Sequence, residues 1–211
     1  GTCDIIYTIT GGCNGPVSAF QSITVTPNSS ITSVTGTTPL CIGATTTYTA
    51  NGVVLSGGTG AWSSSDILVA TVDNAGLVTA VGAGTCNIIF TITGGCGGTV
   101  SAQQSITVDP NSSITSVSGS SPLCIGATTT YTANGVVLSG GTGAWSSSDI
   151  LVATVNPTTG LVTAVGAGTC NIIFTITGGC NGPVSAQQSL TVNPNSAITS
   201  VTGSSPLCIG A

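Results

Sequence analysis

Apolar and small polar residues alternate along this chain in short stretches bounded by Gly, Pro, Asn and Ser. That period of two predicts half-buried β-strands separated by turns. Ser30–Val34 alternates, and Ala44–Ala50 reads as one Thr-rich strand carrying Tyr48. Gly60-Ala-Trp-Ser63 opens another, and Val69–Val72 and Leu77–Val81 flank a turn at Asp73-Asn-Ala-Gly76. The longest run, Thr85–Thr93, puts Cys86, Ile88, Phe90 and Ile92 on one face. Gly94–Gly98 then forms a hairpin turn into Val100–Val108. No window combines helical apolar spacing with caps. Seven or so short strands with a Trp in the third predict an all-β, two-sheet sandwich. The expected core is Trp62, Val72, Val78, Ile88, Phe90 and Ile106. A second set repeats it: Trp145, Val155, Val162, Ile172, Phe174 and Leu190.

That second set exists because the chain repeats itself. Pro39–Val72 recurs unchanged at Pro122–Val155, and Leu77–Cys96 recurs at Leu161–Cys180. Cys41, Cys124 and Cys208 lie 83 and then 84 residues apart. The extra residue is a turn insertion, with Asp73-Asn-Ala-Gly76 becoming Asn156-Pro-Thr-Thr-Gly160. Such a period is too long for a solenoid turn and suits a small domain in a tandem array. The Pro-Asn-Ser linker marks the boundaries. Residues 28–110 and 111–194 are two repeats, residues 1–27 the last part of another, and residues 195–211 the opening of the next. The chain is expected to be an excerpt of a longer array.

Composition narrows the chemistry. The 211 residues include no Lys, Arg, His or Met, and charged residues make up 2%, against about 25% in an ordinary soluble domain. Without basic side chains there is no phosphate neutralisation, so nucleic acid is not an expected partner. Schiff-base chemistry, His-dependent acid–base catalysis and His-ligated zinc lack their residues. An enzyme is therefore not expected, and no catalytic, cofactor or metal residue is assigned. No apolar run approaches the length of a membrane-spanning helix, so no membrane insertion is expected of this segment.

The run Trp62-Ser-Ser-Ser-Asp66, Val69-Ala-Thr-Val72, Gly76-Leu-Val-Thr-Ala-Val81, Ala83-Gly-Thr and Ile88 resembles the bacterial immunoglobulin-like group 2 family of invasin- and intimin-like proteins. The opening Pro39-Leu-Cys-Ile-Gly-Ala resembles versions found in long secreted surface proteins of Bacteroidota-type bacteria. The resemblance implies immunoglobulin-like β-sandwiches arranged head to tail, acting as spacers between an anchor and a tip. Cys86 and Cys170 depart from the family, which usually has a small residue there.

Nine cysteines at fixed phase, without a Cys-x-x-Cys pair or His, read as extracellular disulfides rather than metal ligands. They are Cys3, Cys13, Cys41, Cys86, Cys96, Cys124, Cys170, Cys180 and Cys208. Cys41 and Cys96 fall at opposite ends of one sandwich, roughly eight residues at about 3.3 Å apart, beyond the roughly 7 Å a disulfide spans. Two arrangements stay open. Cys41 pairs with Cys86, and Cys124 with Cys170, within units; or Cys41 pairs with Cys180 between units. Family usage favours the second, because the columns of Cys41 and Cys96 commonly carry Cys together.

The remaining polar features have local readings. Asp66 and Asp149 suit turn caps better than calcium ligation. Trp62 and Trp145 suit core positions better than ligand platforms. Asn28-Ser-Ser30 and Asn111-Ser-Ser113 match the glycosylation acceptor pattern, here read as incidental. The Gly94–Gly98 turn lacks the strand-to-helix context of a phosphate loop. A formal charge of −5 leaves little repulsion between copies, and the sheet edges carry Thr and Ser where Lys usually protects them. The function expected is therefore a structural spacer or fibre wall of an extracellular, cell-surface filament, with copies of itself or neighbouring repeats as partners. The alternative is an adhesin whose repeats bind a host or glycan surface.

Overall fold

The computed structural model describes residues 1–203 and Ile209, and among them there is no helix. The chain divides into two compact units, Gly1–Pro110 and Asn111–Ala211.

The first unit opens with an antiparallel hairpin, β1 (Thr2–Ile9) and β2 (Val17–Thr24), whose residues are all exposed. A sandwich follows. Its strands are β3 (Ser33–Thr35), β4 (Leu40–Cys41), β5 (Thr45–Thr47), β6 (Thr49–Asn51), β7 (Thr59–Ser64), β8 (Ala70–Val72), β9 (Leu77–Ala80), β10 (Gly84–Thr93) and β11 (Val100–Asp109). One sheet runs β4-β11-β10-β7; opposite it stand the β5-β9-β8 sheet and the β3-β6 pair. The Thr-rich segment expected as one strand is two, broken at Tyr48. Thr45–Thr47 pairs with β9, whereas Thr49–Asn51 pairs with β3. Tyr48 is the switch: its N–H donates to the Gly76 carbonyl at 2.8 Å, which ends the first pairing.

The core follows from the period of two on the long strands. Cys86, Ile88 and Ile92 on β10 are buried, as are Ile106 and Val108 on β11 and Val78 and Ala80 on β9. Trp62, Val72 and Phe90 are only partly buried and pack against this cluster. Tyr48, at 1% exposed, is the largest fully buried side chain of the unit and was not among the expected core residues. Its ring packs where Gly36 has no Cβ, which would stand 2.2 Å from the ring, and its hydroxyl donates to the Thr37 carbonyl at 3.2 Å. Each fully buried large apolar side chain stabilises the fold by roughly 1.5–3 kcal/mol.

The second unit repeats the plan with β12 (Ser116–Ser118), β13 (Leu123–Cys124), β14 (Thr128–Thr130), β15 (Thr132–Asn134), β16 (Thr142–Ser147), β17 (Ala153–Val155), β18 (Leu161–Ala164), β19 (Gly168–Thr177) and β20 (Val184–Asn193). The sheets are β13-β20-β19-β16 and β14-β18-β17, with the β12-β15 pair. Val162, Ile172 and Leu190 are fully buried, and Val155 and Phe174 pack partly buried against them. Trp145 is 7% exposed here, deeper than Trp62 in the first unit. The turn that carries the insertion lies beside Trp145. Asn156 caps the longer turn through its Oδ1, and the Pro157 carbonyl accepts the Trp145 N–H at 2.9 Å along the outer edge of β16.

Candidate functional site

Both units repeat the same set of cysteines, and strand register fixes where those on strands lie. β4 pairs in parallel with the end of β11, so that Cys41 stands beside Asp109. Cys86 stands beside Ile106, one strand further across and three residues back. Three residues of strand are about 10 Å, and two strand spacings are a further 9.5 Å or so sideways. The separation is roughly twice what a disulfide tolerates. Accordingly Cys86 and Cys170 are buried free thiols and Cys124 is an exposed free thiol, so the within-unit pairs Cys41–Cys86 and Cys124–Cys170 are not formed. In the second unit Cys124 lies beside Asn193 and Cys170 beside Leu190, with the same three-residue offset.

Cys41 and Cys180 are in disulfide form and do not titrate. Cys180 sits in the β19–β20 turn, and its carbonyl accepts the Ser112 N–H at 3.0 Å. The equivalent Cys96 accepts from the Ser29 N–H at 2.7 Å, and its Sγ lies 3.0 Å from the Thr26 hydroxyl. Both turns are thus held against the first residues of their own sandwich. The hydroxyls of Ser29 and Ser112 are buried there, donating to the carbonyls of Leu55 and Leu138. Cys3, Cys13 and Cys96 are exposed free thiols, and Cys208 lies outside the described residues.

The buried thiols face hydroxyls. Cys86 Sγ lies 3.6 Å from Ser64 Oγ. Burial pushes the Cys170 thiol up from its usual 9.0, the Ser147 hydrogen bond pulls it back in part, and Asp149 adds to the rise. A thiol held protonated is a poor nucleophile. It forms one wall of a cleft of about 140 Å³, whose other walls are Ser148, Thr169, Asn171 and Ser189. No base or cation stands among these groups to activate the sulfur. Burial likewise pushes up the Tyr48 and Tyr131 hydroxyls, with Cys86 and Cys170 respectively as the smaller cause.

The other singled-out residues have structural roles in their own units. Asp66 Oδ1 accepts the Leu68 N–H at 2.9 Å, and Asp149 Oδ1 accepts that of Leu151, capping the turns after β7 and β16. Trp62 and Phe90 meet edge to face at 5.0 Å, as do Trp145 and Phe174. In the Asn28-Ser-Ser30 and Asn111-Ser-Ser113 patterns the middle serine is buried and the third makes an isolated bridge to Val54 or Val137. A feature the sequence did not disclose is a pair of exposed apolar residues after each cap: Ile67 and Leu68, then Ile150 and Leu151. The first pair opens the apolar run Ile67–Val72, whose last three residues, Ala70–Val72, form β8. The Asp66 and Asp149 caps turn both pairs outward.

Among solved structures, domains 4 and 5 of the S-layer protein SbsC are similar at 16% identity and a TM-score of 0.35, covering 79% of this chain and 99% of that one. Mouse cadherin-23 EC22-24 is similar at 13% identity and a TM-score of 0.47, covering 92% of this chain and 74% of that one. Protocadherin gamma B2 extracellular cadherin domains 3-6 are similar at 14% identity and a TM-score of 0.46, covering 86% of this chain and 56% of that one. No curated protein matches the chain. The bacterial Ig-like domain (group 2) family matches it twice in tandem, over residues 19–101 and 102–181, which together are well over half its length. With a two-sheet sandwich in each unit and the family's pattern running through both, the chain belongs to the bacterial immunoglobulin-like (group 2) family.

Proposed function

We propose that this chain is part of an extracellular structural array whose immunoglobulin-like units are linked covalently, Cys41 of one to Cys180 of the next, as a spacer or fibre wall at a bacterial surface. The disulfide form of Cys41 and Cys180 carries the reading. Disulfides persist in oxidising compartments, which supports an extracellular location. The pairing is supported by each partner's place in its own unit. Cys41 flanks Asp109, Ser112 binds the Cys180 carbonyl, and only Pro110 and Asn111 separate Asp109 from Ser112 in the chain. In a longer array of such units, Cys96 and Cys124 would make the same link to the preceding and following repeats. A −5 charge over 211 residues leaves little repulsion against lateral packing of neighbouring copies.

A bond from Cys41 to Cys180 encloses about 140 residues, which in the chain-entropy account stabilises the pair of units by about 5 kcal/mol. It also bears load. Stretching the tethered chain should extend the enclosed segment only after reduction, releasing roughly 480 Å of contour at about 3.4 Å per residue. Release of the same length without reductant would contradict the proposal.

A second reading, adhesion by the repeats themselves, draws on Ile67, Leu68, Ile150 and Leu151, exposed at the same place in both units. Two copies of one apolar patch suit multivalent attachment to a host surface. Glycan stacking has less support, because the Trp, Tyr and Phe side chains of both sandwiches are buried or half-buried. Specific, saturable binding by the isolated chain, abolished by Leu68→Ser with Leu151→Ser, would favour adhesion over spacing.

A further inference from the structure

Four Asn–Gly dipeptides occur in the chain: Asn14–Gly15, Asn51–Gly52, Asn134–Gly135 and Asn181–Gly182. Asn followed by Gly is the sequence most prone to self-cyclisation, because glycine leaves its own amide nitrogen unhindered. The fold treats the four in two opposite ways.

Asn51 and Asn134 end β6 and β15, and each is held at its side-chain amide nitrogen and its backbone carbonyl. Asn51 Nδ2 donates to Thr35 Oγ1 at 3.0 Å and to Ser33 Oγ at 3.2 Å, and the Asn51 carbonyl accepts the Thr32 N–H at 2.8 Å. Asn134 repeats this with Ser118 Oγ at 3.0 Å, Ser116 Oγ at 3.2 Å and the Thr115 N–H at 2.9 Å. The following glycines are packed so closely that a Cβ would stand 2.1 Å from the hydroxyl of Thr32 or Thr115. Asn14 and Asn181 lie instead in the exposed turns of the β1–β2 and β19–β20 hairpins. Among the described residues nothing bonds to either side-chain amide; the Gly15 N–H donates to the Gly12 carbonyl at 3.3 Å within the same turn, and a Cβ on Gly15 or Gly182 would meet nothing within 4 Å. Asn181 also adopts φ 74°.

We propose that Asn14–Gly15 and Asn181–Gly182 are self-modification sites, converting to aspartate and isoaspartate, while the strand-held Asn51 and Asn134 stay amides. In the first step the Gly182 amide nitrogen gives up its proton and bonds to Asn181 Cγ; the Cγ–NH₂ bond breaks and ammonia leaves with that proton. Water then opens the succinimide at either carbonyl, yielding one carboxylate per event. Nothing is oxidised or reduced.

The consequence is local because the chain is nearly uncharged. Two events take its formal charge from −5 to −7. Each new carboxylate directly follows a cysteine, Cys13 or the disulfide-form Cys180. A negative neighbour disfavours the thiolate and repels an incoming anionic thiol, so ageing slows reduction at Cys180. The first sandwich lacks the device, since Gly97 stands where Asn181 does.

The test incubates the whole chain at mildly alkaline pH, folded and in denaturant, and follows it by aromatic-directed digestion and mass measurement. Isoaspartate is scored with an isoaspartyl methyltransferase. In the folded chain Asn14 and Asn181 should convert about tenfold or more faster than Asn51 and Asn134, because the latter require local unfolding; in denaturant the four rates should converge. Equal rates in the folded chain, or conversion there only at Asn51 and Asn134, would overturn the proposal. Asn181→Gly should remove the signal from its own peptide alone. Asn181→Asp should slow reduction of Cys180 by glutathione more than by neutral mercaptoethanol; an equal effect on both would overturn the electrostatic consequence.

Discussion

Gly76 closes against Tyr48. The Tyr48 N–H donates to the Gly76 carbonyl at 2.8 Å, and a Cβ on Gly76 would stand 2.6 Å from the Tyr48 carbonyl and 3.2 Å from the Trp62 ring. Its φ of +84° adds a conformation that side chains rarely adopt. Gly76→Ala should therefore cost about 2–3 kcal/mol, from left-handed strain plus overpacking. Gly43→Ala, at a φ of +87° but in open space, should cost about 1 kcal/mol. Denaturant unfolding of both variants checks the difference, and equal costs would mean that the turn yields without strain.

Alkaline stability should be limited by buried protons. Burial raises Tyr48 and Tyr131 above their usual 10.0 and Cys170 above its usual 9.0. The folded chain then holds protons that the unfolded chain releases, so these groups contribute full stability below those usual values and lose it as pH climbs past them. Unfolding followed by circular dichroism should set in above pH 9–10. With the exposed Tyr7 replaced by Phe, phenolate absorbance from Tyr48 and Tyr131 should rise together with unfolding; phenolate appearing in that folded variant at the ordinary value would refute the burial argument.

Ser56 and Ser139 adopt φ of 47° and 45°, and their buried hydroxyls have no hydrogen-bond partner. Ser→Gly at either position relieves both costs against a loss of chain entropy, for a net stabilisation of about 1 kcal/mol. A lower denaturation midpoint for either variant would contradict this.

Trp145 is the deeper of the two tryptophans, and the inserted turn at Asn156–Gly160 bonds to its backbone through the Pro157 carbonyl; transplanting the insertion should therefore bury Trp62 further. Replacing Asp73-Asn-Ala-Gly76 by Asn-Pro-Thr-Thr-Gly should reduce quenching of Trp62 fluorescence by acrylamide, measured with Trp145→Phe to silence the second ring. Unchanged quenching would show that Pro157 is not what covers the tryptophan.

These cases also mark what local sequence discloses. The long strands β10 and β11 were legible because a period of two with large β-branched residues allows only one inward face. Tyr48 was missed because its neighbours are Thr and Ala, and a strand that changes sheets leaves the alternation intact. The glycine at position 36, which makes room for the ring, was the available signal. Leu40–Cys41 escaped because its pairing is with Val108–Asp109 across the whole unit. Trp62 and Trp145 sit in identical segments yet differ in burial, and the nearest difference in sequence is a turn more than ten residues away. Of the cysteines, sequence gave phase and opposite ends; the register that separates Cys41 from Cys86 needed the sheet.

The covalent link between units is tested most directly by alkylating the native chain without reduction, digesting with an aspartate- or aromatic-directed protease, and measuring peptide masses. The account predicts one linked species joining the Cys41 and Cys180 peptides, with Cys86 and Cys170 alkylated only after unfolding. Cys41 joined to Cys86, or Cys41 and Cys180 both alkylated, would contradict it.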